Sequence, residues 1–348
     1  MFSERGPMPS FAGFGIVLIV VGTFSTAALG YPGKHFDLQT LVAQSDLIAV
    51  VDVSKVDDVG PATAVVKGGS LAARRNKAEG ITKWCIKGGC PDQLTMNFAS
   101  TTTFAGYERV PVGTQIVFLK QQGTEYEFTD VSFPSLPAVS GSTNIAESNP
   151  LLAVIAELGA VLSSPAASDD QKWLVLAQAD GIPDVDSFTH SLQAAEMLAG
   201  SPDLKYGIEA ELISRADLSA LRSFVDLLLG NTLTDAQRET LQLAVANNVK
   251  TVKAAPILSR LLQARDASSR RAAALALWRN ANPSAIPDLV GILQDPDWEV
   301  RFYAVRALSD IVNEPDWGGP GERQFREHEQ EYLAHWRNWA KSQGVAGR

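Results

Sequence analysis

Three side chains near the C-terminus, His328, Glu331 and His335, stand at i, i+3 and i+7 and share one face if that segment is helical. Two imidazoles and a carboxylate so placed are the raw material of a metal site. The spacing is not H-E-x-x-H and no fourth ligand is evident, so the trio reads as a charged helical face and no metal is expected. Cys85 and Cys90 are the other chemically able pair, in WCIKGGCP. Two glycines between them let the chain fold back, and the pair reads as a small-loop disulfide formed in an oxidising compartment. A two-cysteine metal site would need two more ligands, with no His or second Cys pair nearby, and the C-x-x-C spacing of redox sites is absent. G-x-S-x-G, a Walker loop and G-x-G-x-x-G after a strand are all missing. Neighbouring carboxylates such as Asp169-Asp170 and Asp184/Asp186 are accounted for by helix N-termini, where negative charge opposes the macrodipole. His35 and His190 have no motif around them. The sequence therefore predicts no catalytic residues and no cofactor.

What remains is recognition, and composition narrows it. The 348 residues are 45% hydrophobic, enough for two domains with real cores. A net charge of −9 opposes general nucleic-acid binding, which needs a basic footprint. One basic stretch runs against this balance: Gly68 to Pro91 holds Arg74, Arg75, Lys77, Lys83 and Lys87 against the single acid Glu79. An anionic ligand is one reading. The other, which we favour, is a solvated, flexible insertion, because Trp84 alone cannot provide the stacking platforms of a single-strand binder.

Residues 1–30 carry Arg5, an apolar run from Phe11 to Leu29 and Ala28-Leu29-Gly30, the pattern of a cleavable secretory signal with Tyr31 as the mature N-terminus. An uncleaved anchor is the alternative, since the run is just long enough to span a bilayer. The expected localisation is thus exported: periplasmic, secreted or membrane-tethered, with no further membrane insertion.

The elements come in order along the chain. FDLQTLVAQSD predicts a short helix with Leu38, Leu41 and Val42 on one side. LIAVVDVSKV, TAVVK, QLTMNFAS, TQIVFLKQ and EYEFTDV predict five short strands, divided by Gly60-Pro61, Gly68-Gly69, Gly113 and Gly123. The order of short helix, V-x-V-x-x-V strand, V-K-G turn and V-G-x-x-x-x-F-L strand resembles the OB-like barrels of the netrin and metalloproteinase-inhibitor type. That resemblance implies a small antiparallel barrel over residues 31–140. Phe133 to Pro150, rich in Pro and Ser, reads as a linker, placed at 141–150 between the two domains.

From Leu151 helical spacing takes over, and a shift of 31 residues superposes the chain on itself. It puts Pro256 on Pro287, Leu258 on Leu289, Leu262 on Leu293, Asp266 on Asp297, Arg270 on Arg301, Ala273 on Ala304, Ala276 on Ala307 and Leu277 on Leu308. Five helical pairs are expected over 151–316, the first three diverged. The fifth is the clearest: Ile286, Leu289 and Leu293 line one helix, and Asp297 caps a second whose Val300, Ala304, Ala307, Leu308 and Ile311 form a stripe. Its D-x-x-V-R-x-x-A-x-x-A-L opening, behind a Pro-led first helix, resembles a HEAT repeat. By that resemblance Asp266, Arg270, Asp297 and Arg301 form a structural ladder between repeats. Residues 317–348 predict a capping helix, with Phe325, Tyr332, Trp336 and Trp339 covering the last repeat.

The expected class is therefore α+β with two domains: a small OB-like antiparallel β-barrel, then an all-α HEAT-like solenoid. The expected function is an exported, non-catalytic adaptor or scaffold for a protein partner. An OB-type ligand or inhibitor module braced by the solenoid, and a lyase-like HEAT enzyme or chaperone, are the alternatives. If the Val300 to Ile311 stripe faces the core, Phe302, Arg306 and Ser309 lie opposite, with Arg271, Leu275 and Trp278 as counterparts one repeat earlier. Phe302, Arg306, Arg271 and Trp278 are the candidate binding residues, with cover by the C-terminal helix as the competing reading.

Overall fold

The structure is a computed structural model that describes residues 37–66, 69–101, 110–123, 125–130, 135–139, 149–230, 232–314, 317–345 and 347. Residues 1–36, where the sequence leads us to expect a signal and which include His35, and Lys67 and Gly68 of the expected V-K-G turn lie outside the described residues.

The chain begins with α1 (Leu38–Gln44), capped by Asp37, whose carboxylate accepts from the Thr40 backbone N–H at 2.6 Å. Leu38, Leu41 and Val42 are buried, as their spacing requires. Then come β1 (Leu47–Val66), β2 (Gly69–Lys87), β3 (Gln93–Thr101), β4 (Gly113–Gln122), β5 (Glu125–Phe128) and the short β6 (Ser135–Pro137). The strand order β1-β2-β3-β5-β4 closes on itself through β1–β4 pairing, from Leu47 opposite Leu119 to Val53 opposite Gly113. β6 adds to β4 outside the ring. This is an OB-like barrel, antiparallel except where Met96 and Asn97 pair in parallel with Tyr126 and Glu127.

Two strand expectations need correction. LIAVVDVSKV and the TAVV of the next predicted strand are one strand, because the break at Gly60-Pro61 is absorbed by a register shift between Asp58 and Gly60, where Gly60 takes φ 130°. The basic stretch, expected as a flexible insertion, is β2, paired with β1 from Ile48–Lys87 to Val66–Gly69 and with β3 from Ala73 to Ile81. Cross-strand pairing on both edges outweighs its poor strand propensity.

Alternation along β1 separates two cores. Leu47, Ala49, Val51 and Val53 fill the barrel with Ala78, Leu94, Met96, Phe98, Val117 and Leu119. Ile48 and Val50, with Ile116 and Phe118 of β4, face the other way and join α1 and the helices beyond in a second, continuous core. Leu136 of β6, inside the Pro- and Ser-rich segment expected as a linker, belongs to that core as well. Barrel and helices therefore share buried surface.

The helices form five pairs: α2 (Pro150–Ser163) with α3 (Asp169–Leu176), α4 (Asp186–Leu198) with α5 (Pro202–Ser214), α6 (Leu218–Leu229) with α7 (Asp235–Asn248), α8 (Ala255–Leu261) with α9 (Ala267–Asn280), and α10 (Ile286–Gly291) with α11 (Trp298–Val312). Side-chain oxygens of Asn149, Ser168, Ser201, Asp217, Thr234, Asp266 and Asp297 accept the first free N–H groups of seven of them. The second helices α5, α7, α9 and α11 stack in succession. The array ends in α12 (Glu322–Ser342), which buries Phe325, Tyr332, Leu333 and Trp336 against it. Among the described residues no helix is long and apolar enough to cross a membrane.

Candidate interaction surface and the inter-repeat ladder

The side chains of the four residues assigned to a ladder do not bond one another; each meets a partner outside the set. Arg270, on the first turn of α9, donates from Nη1 to the carbonyls of Ala264 and Arg265, which lie in the turn between α8 and α9, both at 2.9 Å. Its Nε and Nη2 fork onto the two oxygens of Asp295 in the next pair, at 2.7 and 3.1 Å. Arg301 repeats the first half, donating to Asp295 O and Pro296 O at 2.6 and 3.0 Å. Its outward arm reaches Glu329 of α12 at 2.6 Å. Asp297 caps α11 and also takes Arg271 Nε at 2.8 Å, and that guanidinium holds its carboxyl below the usual carboxylate range. Asp266 caps α9 and lies 3.6 Å from Arg238 of the preceding pair.

Arg238 is the rung that sequence reasoning missed. It donates to Leu228 O at 2.9 Å and Gly230 O at 3.1 Å, as Arg270 and Arg301 do one and two pairs later. Sliding by 31 from Arg270 lands on Glu239, one residue off. Asp295 is the second residue missed, since the repeat pattern points to Asp297 alone.

Three of the candidate binding residues, Trp278, Arg306 and Phe302, come together through Tyr303, while Arg271 is held on Asp297 and Glu299. Trp278 of α9 stacks on Tyr303 of α11 with ring centres 5.9 Å apart, and the Arg306 guanidinium lies 4.6 Å from the same indole. Phe302 meets Trp298, Tyr303 and, at 5.4 Å, Phe325 of α12. Arg326 of α12 lies 3.8 Å over Trp298. Phe302, Arg306, Arg271 and Trp278 are all half-buried, Phe302 against the closing helix and Arg306 on the Gly319 and Pro320 carbonyls. Ser309, expected on the open side, is buried with its hydroxyl donated to Val305 O. The reason is that α11 is packed by α9, α10 and α12, which covers more of its circumference than one stripe.

Two cations of the basic stretch pair with carboxylates of its partner strand, and a third with Glu79 of its own strand. Arg74 pairs with Asp58 at 2.7 Å, Lys83 with Asp52 at 3.4 Å and Lys77 with Glu79 at 2.7 Å. Lys87 caps the C-terminus of α1 through Val42 O and Ala43 O at 2.8 and 3.1 Å. Asp52 and Asp58 come from β1, so a count within the stretch could not find them. Cys85 and Cys90 are joined in a disulfide at the end of β2.

The histidine trio is pulled apart. His328 sits at a non-helical kink with its ring 3.3 Å from Glu331, whereas His335 turns to Glu314 at 2.9 Å and stacks on Trp317. Among the described residues no group of three or more His, Cys, Asp or Glu is placed to hold a metal ion. A different titratable group is perturbed. Glu209 of α5 is wholly buried, one oxygen accepting from Ser223 at 2.8 Å, and burial together with the nearby Glu196 pushes its carboxyl up to about 7.

Comparison with curated proteins finds no match for the chain. Residues 254–318, which span α8 to α11 and the ladder's best-formed rungs, match the family model described as HEAT repeats, modules that generally serve protein–protein interaction.

Proposed function

We propose that this protein is an exported, non-catalytic adaptor whose HEAT-like array binds another protein, with the barrel fixed to its first helices. The observation that carries the reading is the strip formed by Trp278, Tyr303, Phe302 and Trp298 across the last two pairs, flanked by Arg271 and Arg326. Tryptophan, tyrosine and arginine concentrate binding energy at interfaces, and here they are held in place by packing while remaining half-exposed. Export is supported by the N-terminal apolar segment and by the Cys85–Cys90 bond, which persists in oxidising compartments.

The test places a photo-crosslinking residue at position 303 of the full chain and irradiates it in native envelope extract. A discrete protein adduct, absent when the probe sits at the 92%-exposed Arg323, is expected. No adduct, or the same adducts from both positions, removes the adaptor reading. A second reading, the barrel as a ligand or inhibitor module, is favoured by the OB-like strand order. Adducts from Lys83 of β2 in place of position 303 would establish it.

A further inference from the structure

The interior rungs of the ladder show how an acidic turn fits between successive pairs. Between the fourth and fifth pairs, the turn Asp295-Pro296-Asp297 enters the space beside Arg270 and offers it a carboxylate, while Asp297 takes Arg271. Arg301 of the fifth pair clamps the carbonyls of its own turn in the same manner, but the next element is the single helix α12. It supplies Glu329 to Arg301 and no second turn. An open groove remains, lined by Gln294, Asp295, Pro296, Arg301, Gln330, Leu333 and Arg337.

The charges in this groove do not balance. Asp295 is committed to Arg270, and Arg301 to Glu329. Arg337 gives one N–H to Leu293 O at 2.8 Å and has no carboxylate within ion-pair distance among the described residues. Its buried Nε lacks a hydrogen-bond partner, a costly state for a charged donor. Two primary amides and the apolar edges of Pro296 and Leu333 complete the walls.

We propose that this groove docks an acidic turn of the partner protein, its carboxylate pairing with the outer end of the Arg337 guanidinium. The inference rests on the adaptor reading and adds where, and by what chemistry, a partner is held. Charge complementarity to the one guanidinium of the groove that has no carboxylate partner among the described residues specifies an acidic turn.

The probe is a blocked peptide copying Gln294–Glu299, the segment that fills the interior slot, titrated into the full chain and followed by NMR at the Gln330 amide and Arg337 Nε–H. Saturable shifts are expected there. Replacing both peptide aspartates by asparagine, or Arg337→Gln in the protein, should weaken binding at least about tenfold, as loss of a charge-assisted bond does. Arg337→Lys should fall between, and melting temperatures show whether each variant folds. The asparagine peptide tests the idea on unaltered protein should Arg337→Gln fail to fold. No shift in the groove, or binding indifferent to both changes, overturns the proposal. A partner adduct at position 303 that survives Arg337→Gln also overturns it while leaving the adaptor reading intact. Arg337-dependent peptide binding with no partner adduct keeps the site and removes the adaptor.

Discussion

Arg301 Nε lies 2.6 Å from Glu329 Oε1, across the contact between α11 and α12. One pair earlier Asp295 stands in the same relation to Arg270, so the closing helix provides a carboxylate where the next repeat would. Capping is thus electrostatic as well as apolar. The aromatic residues of α12 exclude water from the last repeat, and Glu329 satisfies a guanidinium that would otherwise be left partly desolvated.

Glu329→Ala should therefore destabilise the chain by about 1–3 kcal/mol, the cost of stranding a partly buried charge. Arg323→Ala, on the exposed side of the same helix, should change little. Chemical denaturation of both variants and of Arg301→Ala with Glu329→Ala would measure the coupling. Equal, negligible effects would show that the rung is ornamental.

Leu277 and Leu308 occupy the same place in successive repeats and are both fully buried. Leu277→Ala and Leu308→Ala should each cost roughly 2–5 kcal/mol. If either is as mild as Glu299→Ala, the core phase of α9 and α11 is not the one described.

Gly80 lies where β2 crosses β1, and a Cβ there would sit 2.5 Å from Val51 Cγ1 and 2.9 Å from Asp52 O. Gly80→Ala should cost about 1–3 kcal/mol through forced separation of the two strands. An unchanged midpoint would mean that the barrel opens at this corner without penalty.

Reduction of Cys85–Cys90 should lower stability by only about 2 kcal/mol, since the closed loop is short. Intact-mass analysis before and after reductant checks the bond, and a melt in each state checks the magnitude. Two free thiols in freshly isolated protein would contradict the bonded pair, and with it one support for export.

These features differ in how plainly the chain announces them. The last two pairs are legible because Pro256, Asp266 and Arg270 recur 31 residues later at Pro287, Asp297 and Arg301, each at a position that local physics restricts. Arg238 is hidden by one extra residue in its repeat, and Glu329 because a cap need not copy the repeat it replaces. β2 is hidden for another reason. Two of its cations, Arg74 and Lys83, meet Asp58 and Asp52 on β1, and no local window shows a pairing that spans separate segments. The strip of Trp278 and Phe302 lies on the expected helices but is less exposed than helix phase alone implies, because the arc of α11 covered by α12 depends on packing between distant segments.

Nothing in the local sequence marks Glu209, yet it gives the clearest pH dependence. It sits at the junction of α4, α5 and α6 with its carboxyl raised from an ordinary 4.5 to about 7, first by burial and then by Glu196, against the opposing bond from Ser223. Lys205 bridges to Glu196 at 3.7 Å and eases the repulsion only in part. The folded chain thus keeps a proton that the unfolded chain releases between pH 4.5 and 7. Because the native state binds more protons in that window, its stability falls as pH rises through it, by up to about 3 kcal/mol. Glu209→Gln imitates the protonated form and should flatten the slope, making the variant relatively more stable near pH ~8 than near pH ~4. Urea midpoints at half-unit pH steps, with amide exchange on α4 and α5, measure both effects. A wild-type slope that survives in Glu209→Gln would assign the pH dependence to other groups and show that this buried carboxylate ionises without cost.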